Sequence, residues 1–381
     1  MGISRHHWGS FPGIVRMNYP IVERTSASAP DNRHGLSPLP PQLTSPQRPR
    51  MGHRVSATRH PLRQKKIVNI RTIGIIGVGG VGGYFGGKLC RLPQSDGGAS
   101  ISFLARGEHL RVIQESGLLL TSESDGELVC RPSLATDDFR RLPPLDLCLI
   151  CVKEFDLSAA LAGLAPLIGD KTILLPLLNG VDVYSRVRSV IRKGVVLPAC
   201  VYVGTHIERP GKVHQKGGAC RILFGPDPQR RDFTPQEIIT LFDQAGIKSE
   251  WNWDIQVEIW RKFIFISAYG LVSAACGKTL GEIVEDDALR ADVRAIMMEA
   301  SALAKASGVR LADDIVEQSL LRARDFPPSA KTSFQRDYER QDKLDERDLF
   351  GGAMLRMADK LNIDVPGTRA VFAVLTKNKP A

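Results

Sequence analysis

Long uncharged apolar runs are missing from this chain of 381 residues. The longest, 263–277, falls short of the roughly 18 residues that a wholly apolar bilayer-spanning helix needs, so it reads as one helix of a core. Acids are nearly missing from residues 1–66, where Glu23 and Asp31 stand against eleven Arg and Lys. Almost all of the net charge of +10 therefore sits in that segment, and the rest of the chain is close to neutral. A basic field over the whole protein is excluded, so nucleic acid is not an expected partner, nor is a membrane. The same segment lacks the continuous apolar core of a secretory signal. Its Pro, Ser, Arg and His content, with Pro38-Leu39-Pro40-Pro41, leads us to expect a disordered basic extension. Two other readings stay open. One is a mitochondrial leader, against which the proline content counts, and the other is an upstream extension of a reading frame that starts at Met17 or Met51. A second C-x-x-C is also missing. Cys148 and Cys151 lie in an apolar run that reads as a strand, where positions three apart face opposite ways. Seven scattered cysteines are thus expected as reduced thiols in a cytoplasmic protein, with no metal site.

What is present begins at residue 67. Residues 71–76 form a short β-branched run, followed by a glycine-rich turn and a helix to about Arg91. Further strands are expected at 101–104, 145–152 and 172–178, with a helix at 157–167 between them. Strands alternating with helices indicate a parallel sheet covered on both faces. The stretch 195–225 is broken by Arg209-Pro210-Gly211 and Lys216-Gly217-Gly218 and reads as antiparallel strands closing the first domain. From about 250 the apolar period is helical, with helices expected at 254–275, 288–306, 313–324 and 335–361. The expected fold is α/β: a Rossmann-type dinucleotide-binding domain over 67–250, then an all-α domain over 251–381.

Gly77-Val78-Gly79-Gly80-Val81-Gly82 fits G-x-G-x-x-G, and it stands between a strand and a helix as the mechanism requires. Gly77 permits the turn, Gly79 lets backbone approach a pyrophosphate, and Gly82 lets helix pack on strand. The anion then rests on the free N–H groups of the helix start, with Gly80 and Val81 beside it. The second strand should end at the residue that reads the adenosine ribose. An acid there selects NAD, whereas this strand ends Leu104-Ala105-Arg106, and Arg106 suits the 2′-phosphate of NADPH. Glu108, two residues on, belongs to the next helix.

The run Gly77 to Gly87 resembles the opening of the ketopantoate reductase family. Val152-Lys153, Leu178-Asn179-Gly180, Glu258-Ile259-Trp260-Arg261-Lys262, and Thr332-Ser333 followed by Glu346 agree with that family in order. The resemblance spans residues 71–377, and the Trp-Arg-Lys segment is its most specific part. It implies NADPH-dependent reduction of a 2-keto acid, ketopantoate to pantoate in pantothenate biosynthesis. It also implies Lys262 as general acid, Glu346 as the group accepting from the substrate's distal hydroxyl, and Lys153 and Asn179 lining the cleft. A partly desolvated ammonium at Lys262, beside Trp260 and Phe263, could stabilise developing negative charge on the carbonyl oxygen and supply the proton. The competing reading is a surface ion pair with Glu258 one turn earlier. Ser333, after Pro327-Pro328, is expected to open the helix and to offer a hydroxyl to the substrate carboxylate, or simply to cap the helix.

Two positions depart from the family. Where it places Asn four and eight residues after the lysine, this chain has Ile266 and Gly270, which leaves a more apolar wall. The spacing from Ser333 to Glu346 is also one residue longer. The alternatives are therefore a reductase of another 2-keto acid, or a dinucleotide-binding sensor without turnover. A homodimer is compatible with the sequence.

Overall fold

The computed structural model describes residues 69–94, 98–340 and 344–378. The basic segment 1–66 lies outside them.

The chain enters at β1 (Thr72–Ile76), turns at Gly77 and runs into α1 (Gly80–Leu89). β2 (Ser100–Leu104) and α2 (Gly107–Ser116) repeat the unit. A hairpin of β3 (Leu118–Ser122) and β4 (Gly126–Cys130) intervenes before β5 (Leu134–Thr136). Then come β6 (Leu147–Ile150), α3 (Leu157–Leu164), β7 (Ile173–Pro176), α4 (Val183–Val190) and β8 (Val195–Val196). The main sheet runs in the order β5-β2-β1-β6-β7-β8, and every pairing in it is parallel. The chain leaves β1 toward β2 on one side and returns to β6 on the other. The crevice at that reversal is where open α/β sheets bind ligands, and Gly77 stands at its mouth.

Both faces of the sheet are covered. Ile73, Ile75, Phe103, Leu147 and Leu149 pack into one apolar cluster. Ile76, Leu104, Cys148, Ile150 and Leu174 pack into another. This is the alternation of a strand buried on both sides, and each fully buried Ile contributes about 1.5–3 kcal/mol. Cys148 lies in one cluster and Cys151 packs against the other, as the strand period requires. Both thiols are free, and burial pushes both well above the ordinary thiol range.

After the main sheet come β9 (Ala199–Tyr202), β10 (Thr205–Arg209), β11 (Lys212–Gln215), β12 (Arg221–Phe224), α5 (Gln236–Gln244) and β13 (Lys248–Trp251). The expected antiparallel set over 195–225 is only partly so. β10–β11 and β9–β12 are antiparallel, but β11 pairs in parallel with β3, and β12 with β13. The hairpin β3–β4 supplies the unforeseen partner, so pairing was decided by a segment far away in sequence.

The remaining elements are helices. α6 (Ile255–Cys276) is long and apolar enough to cross a membrane by length and composition, yet two-thirds of its most apolar stretch is buried inside the protein. α7 (Leu280–Glu285) starts on a capping box, Thr279 with Glu282. α8 (Asp287–Ala306) packs along α6, and α9 (Ile315–Arg322) follows. The single helix expected over 335–361 is corrected to two. α10 (Ser333–Tyr338) ends after six residues, and α11 (Ala353–Leu361) begins only after a π turn at Asp348–Gly352. α12 (Pro366–Asn378) starts on proline, with the Glu299 carboxylate of α8 accepting from the N–H groups of Gly367 and Thr368. One cluster joins Ile76, Leu174 and Val187 of the first half to Phe263, Tyr269, Met297 and Leu303 of the helices, so both halves share a continuous core.

Candidate active site

The glycine turn shows what each position is for. Gly77 has φ +91°, and a Cβ on it would stand 2.9 Å from the Val152 backbone nitrogen. A Cβ on Gly82 would stand 2.0 Å from the Gly77 carbonyl oxygen, so this residue sets how closely α1 lies on β1. Gly79 is the opposite case, because a Cβ there meets nothing within 4 Å. Gly80 presses on Thr205, and Val81 is half-buried. α1 has no side-chain cap and no acid in its first turn, so its leading N–H groups are free for an anion. A close-packed turn with one open glycine beneath an uncapped helix fits a dinucleotide pyrophosphate.

Arg106 follows β2 as expected, but it is not free. Its guanidinium pairs with Asp156, Nη2 to Oδ2 at 2.6 Å. Glu108 lies on α2 and pairs with Arg111.

Lys262 projects from α6 away from Glu258, which pairs with Arg261 instead; the expected surface pair is not formed. Its ammonium donates to Asn179 Oδ1 at 2.7 Å and to the Val201 carbonyl at 2.6 Å, and it lies 5.3 Å from the centre of the Tyr202 ring. Asn179 sits in the loop after β7, so the sheet and the helical half meet at this contact. Phe263, Ile259, Ile266, Leu178 and Ala199 line the cleft with it and close it down to about 10 Å³ of free space. Trp260 is buried behind, its ring edge-on to Phe263. Burial, with the positive Arg322 nearby, lowers the Lys262 pKa below the ordinary lysine range. A larger cavity of about 450 Å³ involves Arg261, Gln318 and Arg322 but none of the site residues, so size does not pick out the chemistry here.

Glu346 is 5% exposed and accepts from Lys153 Nζ at 2.7 Å; Asp337 accepts from the same ammonium at 2.7 Å. Burial pulls Lys153 down, but the two carboxylates outweigh it and raise its pKa. Lys153 begins the 3₁₀ turn after β6, whereas both acids come from the last third of the chain. The structure thus forms two pairs, Lys262 with Asn179 and Lys153 with Glu346, and Glu346 stands near enough to Lys262 for its charge to act on that ammonium.

Ser333 needs correction. The cap is Thr332, whose hydroxyl accepts from the Gln335 N–H at 3.0 Å; Ser333 is the first helical residue and is exposed. It lies one turn before Asp337, on the same side of α10. Gly270 backs onto Phe334, whose ring stands 3.4 Å from where a Cβ would be. A side chain at position 270 would therefore start in ordinary contact with an aromatic ring. Asp156, Asp337 and Tyr202 were missed from sequence. Asp337 had a usable signal, its i+4 spacing from Ser333. The other two owe their positions to long-range packing.

Models of two successive segments of the ketopantoate reductase family match the chain: ketopantoate reductase PanE/ApbA over residues 73–229, and its C-terminal part over 254–379. The chain belongs to the ketopantoate reductase family. It is an oxidoreductase, and the expected α/β sheet followed by helices is the family's fold. A 2-dehydropantoate 2-reductase of Mesorhizobium japonicum is 30% identical over 316 residues, covering 77% of this chain and 94% of that protein. A family ketopantoate reductase from Ralstonia eutropha JMP134 superposes with a TM-score of 0.72 at 30% identity, covering 80% and 97%. A D-mandelate dehydrogenase with NADH and anilino(oxo)acetate superposes at 0.69 and 18% identity, covering 80% and 97%, a likeness of fold.

Proposed function

We propose that the protein reduces a 2-keto acid to the 2-hydroxy acid with NADPH, and that ketopantoate is its first candidate substrate. The observation that carries this reading is Lys262, an ammonium without a carboxylate partner among the described residues, held by Asn179 and Val201 at the same end of the parallel sheet as the glycine turn. When bound, the reduced nicotinamide supplies the hydride. Lys262 donates to the keto oxygen as negative charge grows there and gives up its proton to it. Asn179 aims the ammonium through its side-chain oxygen. Glu346 accepts from a distal substrate hydroxyl, and the hydrogen bond from Lys153 holds its carboxylate in place. Arg106 reads the 2′-phosphate, which makes NADPH the favoured cofactor.

The decisive assay is NADPH oxidation with ketopantoate beside a panel of other 2-keto acids. Turnover with ketopantoate supports the reading. Turnover only with another keto acid keeps the mechanism and changes the substrate, and no turnover despite tight NADPH binding favours a sensor. One observation favours a more apolar keto acid, the Ile266 wall in place of an amide. Ile266→Asn is expected to raise kcat/KM for hydroxylated keto acids over apolar ones by roughly tenfold, the worth of one added hydrogen bond. An unchanged ratio between the two classes would take Ile266 out of substrate selection.

The lowered Lys262 pKa gives a pH prediction. The acid form is lost as pH rises through that value, so kcat declines on an alkaline limb lying below the ordinary lysine value of 10.5. A rate that stays flat past that value would mean that the proton comes from another group.

A further inference from the structure

Arg106 and Asp156 meet across the end of β1. Arg106 follows β2, Asp156 closes the 3₁₀ turn Glu154–Asp156 after β6, and β1 lies between those two strands. The pair is bidentate, Nη1 to Oδ1 at 3.2 Å and Nη2 to Oδ2 at 2.6 Å. The Arg106 side chain is 74% exposed and that of Asp156 26%. The cation assigned to the 2′-phosphate is therefore already matched by a carboxylate from the far side of the glycine turn.

We propose that Asp156 sets the preference between NADPH and NADH, weakening selection for the phosphate and admitting NADH as a second cofactor. The inference rests on the reading that this turn holds a nicotinamide dinucleotide with its adenosine ribose at the end of β2. A phosphate monoester carries about −1.5 to −2 charges at pH 7. To engage both guanidinium nitrogens, it must displace the Asp156 carboxylate and then lie beside it, like charge against like. An exposed ion pair is a weak interaction, so displacement is feasible. The carboxylate nevertheless lowers the gain from binding the phosphate. A 2′-hydroxyl faces the reverse situation. It can donate to Asp156 while the Arg106–Asp156 pair stays intact, which is the part an acid at the end of the second strand plays in NAD sites. In this chain that strand ends in arginine, and the acid arrives from the neighbouring loop.

Asp156→Asn keeps the size of the side chain and an oxygen that accepts from Arg106, while removing the charge. The test titrates the full chain with NADPH and with NADH in the absence of keto acid, following nicotinamide fluorescence. The NADPH-over-NADH affinity ratio is expected to rise roughly tenfold in Asp156→Asn. A ratio that is unchanged, or that moves toward NADH, overturns the assignment to Asp156. Arg106→Ala in the same titration tells which part has failed. Loss of NADPH affinity there with no effect of Asp156→Asn sinks this inference alone. Binding of neither dinucleotide by the wild-type chain overturns the cofactor reading and the inference with it.

Discussion

Lys262→Ala lowers kcat for keto acid reduction by about 10²–10⁴-fold, the range for loss of a general acid, and leaves dinucleotide affinity unchanged. The expectation of a clean effect comes from how few contacts the ammonium makes: Asn179 Oδ1, the Val201 carbonyl and the face of Tyr202. Removing it leaves two acceptors without their donor in a half-buried cleft. That costs about 1–3 kcal/mol if no water replaces it, too little to unfold a core of this size. Lys262→Arg sharpens the test. It restores the charge, but a guanidinium does not release its proton, so turnover stays low while the substrate still binds. Single-turnover rates with saturating NADPH measure this directly. Near-wild-type turnover in the alanine variant would remove Lys262 from the mechanism.

Gly82→Ala is expected to abolish dinucleotide binding and to destabilise the protein by about 1–3 kcal/mol, the usual range for overpacking. The added methyl would overlap the Gly77 carbonyl oxygen, so α1 must move off β1. The N–H groups that face the phosphates move with it. Gly79→Ala is the informative partner, because its methyl meets nothing in the protein. It should melt like wild type and yet bind NADPH weakly, since the methyl stands where backbone must approach the pyrophosphate. Thermal melts and NADPH titrations of the two variants separate packing from binding. Normal binding in both would sink the assignment of this turn to the cofactor.

The main sheet was legible because its signals are local. A β-branched run, a glycine turn and an apolar helix repeat within a few dozen residues, and burial on both faces leaves strands with little polar interruption. The long helix α6 was legible for the same reason, whereas Lys262 was singled out only through the resemblance of the Trp-Arg-Lys segment. What was not legible depended on distant partners. The hairpin β3–β4 lies some ninety residues before β11, and its pairing with β11 turns an expected antiparallel set into a mixed sheet. The break after Tyr338 was hidden because Gln335, Tyr338, Leu349 and Met354 are all buried, so core-facing positions stand on both sides of the non-helical residues 339–340 and 344–346. Arg106 was found at the right place with the wrong company, since nothing near Lys153 in sequence announces that Asp156 will reach across the sheet. Thr332 and Ser333 are adjacent hydroxyls, and only the Gln335 N–H decides between them.

The π turn at Asp348–Gly352 stands between the chemistry and the scaffold. Such a turn holds one residue more than α-helical winding requires. On its far side α11 is anchored by Met354 and Ala358, both fully buried. On its near side, two residues before it, stands Glu346. Five residues wound at π pitch turn through nearly the same angle as four at α pitch, so removing one would leave Glu346 facing Lys153 much as before. Leu349 and Phe350, buried within the turn, would instead shift against Phe263 and Phe334. The extra residue therefore belongs to the packing of the aromatic core, and a change of length there is felt first in stability and only through it in what the cleft accepts.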